Sequence, residues 1–371
     1  MNKLQIEIRV RPISKVLSVF KSLTEDQCLI TFNYKFMEIK HYVGVDVSKN
    51  TLDFALIHEG IVMDQFQCEN NKKSISQLIK QLRRVAGFSM TTTLFCMEYT
   101  GVYNNVLLDY LLACKSPIWL ESALQIKQSQ GLTRGKSDEI DAVRIAQYAF
   151  LFRSKMKLWT PPREELNKLR ALIVVRDRVV NSIKELSVPM KENARFVTKE
   201  IRQMEAQVMK RSLAALEKTL QDIDEQIKRL IKSDPALKQM HELITSVTGV
   251  GPIVAINVIV ATDEFKKITN PSSFSCYSGV APFEHRSGTS IRGRSKVSHL
   301  ANKKIKTLLH LAAMSAIHAK GEMQDYYKRK VGEGKNKMCV LNAVRNKIIH
   351  RIFAVINRQT PYEKNYSPTI A

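Results

Sequence analysis

Four carboxylates are spaced as a metal site could use them, and two of them stand where a surface charge is out of place. Asp46 is set between Val45 and Val47 in an alternating apolar run. Glu98 closes the apolar string Leu94–Phe95–Cys96–Met97. Asp138 and Asp141 are three residues apart, so a helix carries both on one face. Hard oxygen donors of this kind suit Mg2+ or Mn2+. Two such ions ~3.5–4 Å apart can clamp a phosphodiester during in-line displacement. Each residue also has an ordinary explanation. A strand-end Asp often caps a turn, Glu98 could be a solvated strand terminus, and Asp138 after Ser137 could be a helix N-cap. The four together are more specific than any one of them. Asp53, Glu59 and Glu139 read as solvated or supporting charges.

A second chemistry is spelled further along. Tyr277–Pro282 (YSGVAP) is a small-residue turn, followed by Glu284-His285-Arg286-Ser287-Gly288. Arg292, Arg294, Lys296, Lys303, Lys304 and Lys306 come close behind. A serine hydroxyl becomes a nucleophile when a base or a metal activates it. Guanidinium groups such as Arg286, Arg292 and Arg294 can stabilise a phosphoryl transition state. On residues alone, a polar turn in a DNA-binding loop explains Ser287-Gly288 better than a nucleophile does, with His285 and His299 as phosphate contacts. Upstream, Gly249-Val250-Gly251-Pro252 opens a helix and can expose backbone N–H groups to phosphate. It resembles a helix-hairpin-helix element that grips the DNA backbone through Gly249 and Gly251, although a structural turn explains it equally well.

Elements must hold these residues. His41–Val47 alternates, with Val43, Val45 and Val47 on one face and Tyr42, Gly44 and Asp46 on the other. Ser48–Asn50 is a turn, and Thr51–Ile57 and Ile61–Gln67 are two more strands. The spacing predicts a helix over Lys72–Ala86, a strand over Thr92–Met97, a helix over Val102–Ala113, a strand over Pro117–Leu120 and a helix over Asp138–Phe152. From Glu164 to Ser233 long amphipathic helices take over. Leu213, Leu216, Leu220, Ile223, Ile227 and Leu230 repeat at threes and fours, a coiled-coil seam. Leu166, Leu169 and Ile173 begin an earlier seam that Pro189 is expected to break, and Asp234–Pro235 ends the second helix. Two antiparallel helices and a dimerising pair both fit. Lys303–Lys320 and Met338–Asn357 are the last helices, in a mainly helical C-terminal region.

Composition limits the partners. The 371 residues carry 58 Lys or Arg against 35 Asp or Glu, a net charge of +23. Such an excess points to a polyanion. Residues 236–371 hold 21 Lys or Arg and 8 Asp or Glu, so more than half of the excess lies in about a third of the chain. No run approaches the ~20 apolar residues of a spanning helix, which leaves nucleic acid ahead of a membrane. The six cysteines form no CxxC pair, against a zinc cluster or a disulfide framework and in keeping with a cytoplasmic, nucleoid-associated protein. The expected organisation is an extension over 1–36 (an appended segment or a basic DNA-touching arm), an α/β catalytic domain over 37–155, a coiled-coil region over 156–236 and a C-terminal domain over 237–371.

The strings GVDVSKNTLDFAL, MEYTGVYNNVLLDYL and KSDEIDAVRIAQYA resemble the three blocks of the DEDD transposases of insertion-sequence family one-ten, relatives of the pilin-gene invertases. The resemblance runs from about residue 40 to 360. It implies an RNase H-like (RuvC-like) N-terminal domain in which the first and fourth strands are neighbours and the last helix crosses their ends. It implies metal ligands at Asp46, Glu98, Asp138 and Asp141, with Lys136 beside the aspartate pair. It also implies a nucleophile at Ser287, with Ser290 in reserve, that forms a covalent phosphoserine with DNA. A further implication is a structured guide RNA encoded by the element. Glu121-Ser122 departs from the Asn-Pro the family often carries. The serine and the carboxylates lie far apart in sequence, and a dimer or tetramer could bring them together in cis or in trans. Two rivals stay open: a junction-resolving nuclease or guide-free invertase, and an accessory nucleic-acid-binding protein that keeps a relic metal site.

Overall fold

Alternation along the first strand decides the architecture, because both of its faces are buried. Val43, Val45 and Val47 enter one core and Tyr42 the other. The computed structural model describes residues 38–129, 138–287 and 291–363. The expectations for residues 1–36 and for Lys136 and Ser290 lie outside these. So do the side chains of Asp138, Arg286, Ser287, Arg292 and Arg294, whose backbone is described. The chain forms two units, Met1–Pro161 and Pro162–Ala371.

The first unit is a five-stranded sheet: β1 (His41–Val47), β2 (Thr51–His58), β3 (Ile61–Glu69), β4 (Thr93–Glu98) and β5 (Ile118–Glu121). The spatial order is β3-β2-β1-β4-β5. The first three strands pair antiparallel, and β4 and β5 run parallel to β1. This is the mixed α/β arrangement that the predicted order required, with β1 and β4 adjacent. On the Val43 face pack α1 (Lys72–Leu82), through Ile75, Leu78, Ile79 and Leu82, and α2 (Asn105–Ala113), through Leu107, Leu108 and Leu111. A short α3 (Ala123–Ser129) follows β5. On the Tyr42 face lies α4 (Asp138–Leu151), whose Ala142, Ile145, Ala146 and Ala149 are buried.

In the second unit, α5 (Glu164–Glu192) and α6 (Lys199–Ser233) pair within the chain as an antiparallel hairpin. Leu166, Leu169 and Ile173 meet a core that includes Ile223 and Ile227. Arg176 Nε donates to Asp224 Oδ1 at 2.6 Å across the pair. Pro189 does not break α5. It sits in the last turn, where the helix runs on only to Glu192. The core continues through α7 (Pro235–Thr245), α8 (Pro252–Thr262), α9 (Pro271–Tyr277), α10 (Lys303–His318), α11 (Glu322–Gly332) and α12 (Lys337–Arg358). The sequence reading missed a β-hairpin, β6 (Pro282–Ser287) with β7 (Ile291–Val297). In β6, Glu284, His285 and Arg286 run together without alternation, and in β7 the face opposite Arg292, Arg294 and Lys296 is diluted by Gly293 and Ser295, so the apolar period-two signal is weak.

Candidate active site

Register places the carboxylates. Asp46 lies opposite Asp53 on β2. Gly44 pairs with Cys96 and Val45 with Met97, which sets Asp46 and Glu98 on the next rung of the β1–β4 ladder. Glu98 lies opposite Glu121 on β5. Side chains alternate along a strand, so all four share the face that holds Tyr42, Ala55, Cys96 and Trp119. The result is a row Asp53–Asp46–Glu98–Glu121 across β2, β1, β4 and β5.

The same face is covered by α4, and Gly44 determines how closely. A Cβ on Gly44 would sit 2.2 Å from both the Ala142 carbonyl oxygen and the Ala146 nitrogen. With no side chain there, the helix backbone lies directly on β1, two residues from Asp46. Asp141, next to Ala142, is carried on this helix. It accepts from Arg144 Nη1 at 2.8 Å, an i,i+3 pair on the same helix.

The charges in the row affect their neighbours. Burial raises the Cys96 thiol far above its ordinary value, and Glu121 and Glu98 raise it further. Burial and the Glu121 charge push the Tyr148 hydroxyl up to about 12, and that hydroxyl donates to Glu121 Oε2 at 3.3 Å. Asp53, read from sequence as solvated or supporting, is in fact buried and accepts from Gln67 Nε2 at 2.8 Å. Neither Asp53 nor Glu121 was singled out as part of this row. Their signal was the strand register, which local sequence does not carry. An all-oxygen donor set of this kind suits a hard divalent cation. Among the described side chains no three Asp, Glu, His or Cys already converge on one point. The Asp138 side chain is not among those described.

The loop after Glu98 is firmly held. Asn104 is fully buried. Its Nδ2 donates to the Glu98 carbonyl at 2.9 Å, and its Oδ1 accepts from Thr100 N at 2.7 Å and Thr100 Oγ1 at 3.0 Å. Nothing in the spacing around Asn104 announced this role.

In the second unit, Ser287 ends β6 opposite Ile291, and Arg286 lies opposite Arg292. Lys296 is exposed on β7, and Arg294 lies on the same strand. Lys303 is exposed, whereas Lys304 pairs with Asp177 of α5, which offsets part of the charge assigned to phosphate. The Gly249–Pro252 turn joins α7 to α8. Gly249 has a left-handed backbone, φ +88°, and a Cβ there would meet the Ala312 carbonyl oxygen at 2.4 Å. Gly249 therefore serves close packing against α10. Gly251, the N-cap of α8, faces open space.

Two family models match this chain, one of DEDD transposases of the IS110 type over residues 43–193 and one described as "Transposase IS116/IS110/IS902 family" over residues 241–328. The pilin gene-inverting protein of Moraxella bovis is 23% identical over 334 residues, 88% of this chain and 98% of that protein. The IS110 insertion element 43.6 kDa protein of Streptomyces coelicolor is 27% identical over 152 residues, covering 41% of this chain and 36% of that protein. A solved structure of Thermus thermophilus RuvC with a Holliday junction substrate aligns with 32% of this chain at 14% identity and a TM-score of 0.25.

Proposed function

We propose that this chain, which belongs to the IS110 family of transposases and is an enzyme that cleaves and rejoins DNA, works through two chemical elements, one in each unit. The observation that carries the reading is the carboxylate row under α4. Like charges gathered in register on one face of a sheet are unfavourable unless something positive joins them. Asp46, Glu98, Asp138 and Asp141 would hold Mg2+ or Mn2+, which supplies Lewis-acid polarisation of a phosphodiester. Arg144 neutralises Asp141 until then.

The second element is Ser287. Its hydroxyl oxygen bonds to phosphorus as the bond from phosphorus to a deoxyribose oxygen breaks. The serine proton is passed to a base or solvent, and the leaving oxygen takes up a proton. Attack of a strand-end hydroxyl on the phosphoserine reverses this and reseals DNA. Arg286, Arg292 and Arg294 supply cationic donors beside Ser287 in sequence, suited to the charge of the transition state. Lys296, Lys303 and Gly251 suit the DNA backbone. A guide RNA and assembly as a dimer or tetramer complete the proposal and rest on the family. Inversion of a DNA segment uses the same bond exchanges, and the match across nearly all of a pilin gene-inverting protein favours it as the second reading.

A nicked suicide substrate tests the serine. The native protein is expected to give a covalent DNA adduct and Ser287→Ala none. An adduct that survives Ser287→Ala overturns the assignment. Asp46→Ala is expected to abolish recombination while DNA binding stays close to native. RNA extracted from purified protein and sequenced tests the guide.

A further inference from the structure

An apolar stripe lies unburied directly after the candidate ligand Glu98. Tyr99, Val102, Tyr103 and Val106 are 62%, 72%, 41% and 37% exposed. Val102, Tyr103 and Val106 lie at helical spacing across the 3-10 turn Gly101–Asn104 and the start of α2, and Tyr99 comes just before that turn. A stripe so spaced normally faces a core. Here the sheet-facing side of α2 is already filled by Leu107, Leu108 and Leu111.

The backbone beneath this stripe is fixed while its side chains stand free of the core. Asn104 bonds Glu98 and Thr100 as described, and Tyr99 N donates to the Glu121 carbonyl at 3.0 Å. Asn70 Nδ2 donates to the Tyr103 carbonyl at 3.0 Å and to the Ser48 carbonyl at 2.9 Å. Asn70 thereby ties the stripe to the end of β1, two residues past Asp46. Cations border it. Lys49 follows Ser48, and Lys72 and Lys73 begin α1 just after Asn70. All three are exposed, and no carboxylate pairs with them among the described residues. The nearby Glu69 is engaged by Asn71 Nδ2 at 2.7 Å.

We infer that this stripe is a stacking platform for an unpaired base of the DNA strand that the carboxylate row addresses. The inference rests on the functional reading above. Tyrosines on a hydrogen-bonded backbone offer π-faces to a base, and a fringe of unpaired lysines meets the phosphates on either side. That pairing of aromatics with a basic track is how single strands are bound without sequence readout. A protein partner of mainly apolar surface would have no use for the three lysines. Position favours DNA over RNA, since the stripe is continuous in sequence with Glu98.

The test is binding by the full-length protein in an Asp46→Ala background, where strand exchange is off. The probes are a 20-nucleotide DNA strand, the same strand with a run of abasic sites, and its RNA counterpart, read by fluorescence anisotropy at fixed salt. Base-bearing DNA is expected to bind roughly tenfold tighter than abasic DNA, the scale of one stacked base. Tyr99→Ala with Tyr103→Ala should erase most of that preference and leave abasic binding unchanged, and Tyr103→Phe should keep it. Equal losses on both DNA strands, an unchanged preference or tighter binding of the RNA overturns the proposal. So does a change of oligomeric state in the double variant by sedimentation, which would make the stripe a contact between copies. Should the double variant fail to fold, an iodouracil-bearing strand photo-crosslinked to the native protein is expected to mark Tyr99 or Tyr103, and crosslinks confined to other sites overturn the proposal. Because exchange is already off, failure here leaves the metal and serine assignments to stand or fall on their own tests.

Discussion

At the residue scale, the molecule turns on charges placed where a sheet normally hides apolar groups. Asp46 and Glu98 were visible because their neighbours are apolar. Asp53 and Glu121 also have apolar neighbours, Leu52 and Phe54 for the one and Leu120 for the other, but only the strand register aligns them with Asp46 and Glu98. Burial suppresses the reactivity of Cys96, and the row they form adds to it. That thiol is fully buried, and burial, Glu121 and Glu98 all disfavour its thiolate. Cys339 is exposed at the start of α12. Iodoacetamide should therefore alkylate Cys339 in the native protein within minutes and leave Cys96 unmodified until denaturant is added. Peptide mass spectrometry reads both, and early modification of Cys96 would contradict its burial.

At the element scale, α4 can lie directly on β1 only because Gly44 has no side chain. The sequence predicted the helix and placed Gly44 on the right face, but not the contact between them. Gly44→Ala is expected to push α4 off β1 and to cost about 1–3 kcal/mol, the scale of overpacking in a tight core. Both tryptophans, Trp119 and Trp159, belong to the first unit, so tryptophan fluorescence during urea unfolding reports on it selectively. An unchanged midpoint would mean that α4 is not held as closely as described. In the second unit, Arg163 at the start of α5 joins two other elements. Its Nη1 donates to Asp234 Oδ2 at 2.7 Å and its Nε to Glu264 Oε1 at 2.9 Å. Hydrogen bonding to Arg163 holds the Asp234 carboxyl below its ordinary value. Burial pushes Glu264 up, but Arg163 and Lys266 outweigh it and leave it lowered. Both carboxylates have folded values below their unfolded ones, so they contribute stability above the ordinary values of 3.8 and 4.5 that is lost as pH falls through the lower folded values. Helix content by circular dichroism should thus fall below about pH 4, and Arg163→Met should flatten that dependence by weakening the fold already at neutral pH.

At the scale of the whole molecule, the excess of positive charge governs association. Phosphate contacts release counterions, so DNA affinity should fall linearly on a plot of log K against log salt. Lys296→Glu with Lys303→Glu is expected to reduce the magnitude of that slope by at least about two. Lys304→Glu alone should change it less than either, because Asp177 already pairs with Lys304. Equal effects from all three would show that the pairing carries no weight. Among the described residues no helix is long and apolar enough to cross a membrane, in keeping with the run lengths read from sequence.

The sequence by itself determined the types of β1 to β5, the buried faces of β1 and the long amphipathic helices, because those follow from local periodicity. It also carried the family's motifs, and with them the four candidate ligands and Ser287. Tertiary structure decided what depends on pairing between distant segments. It joined Asp53 and Glu121 to Asp46 and Glu98, fitted α4 onto Gly44, folded α5 and α6 against each other within the chain and paired β6 with β7. It also left Tyr99 and Tyr103 outside every core. A stripe of apolar residues reads the same in sequence whether it is covered or bare, because only the packed neighbours decide which.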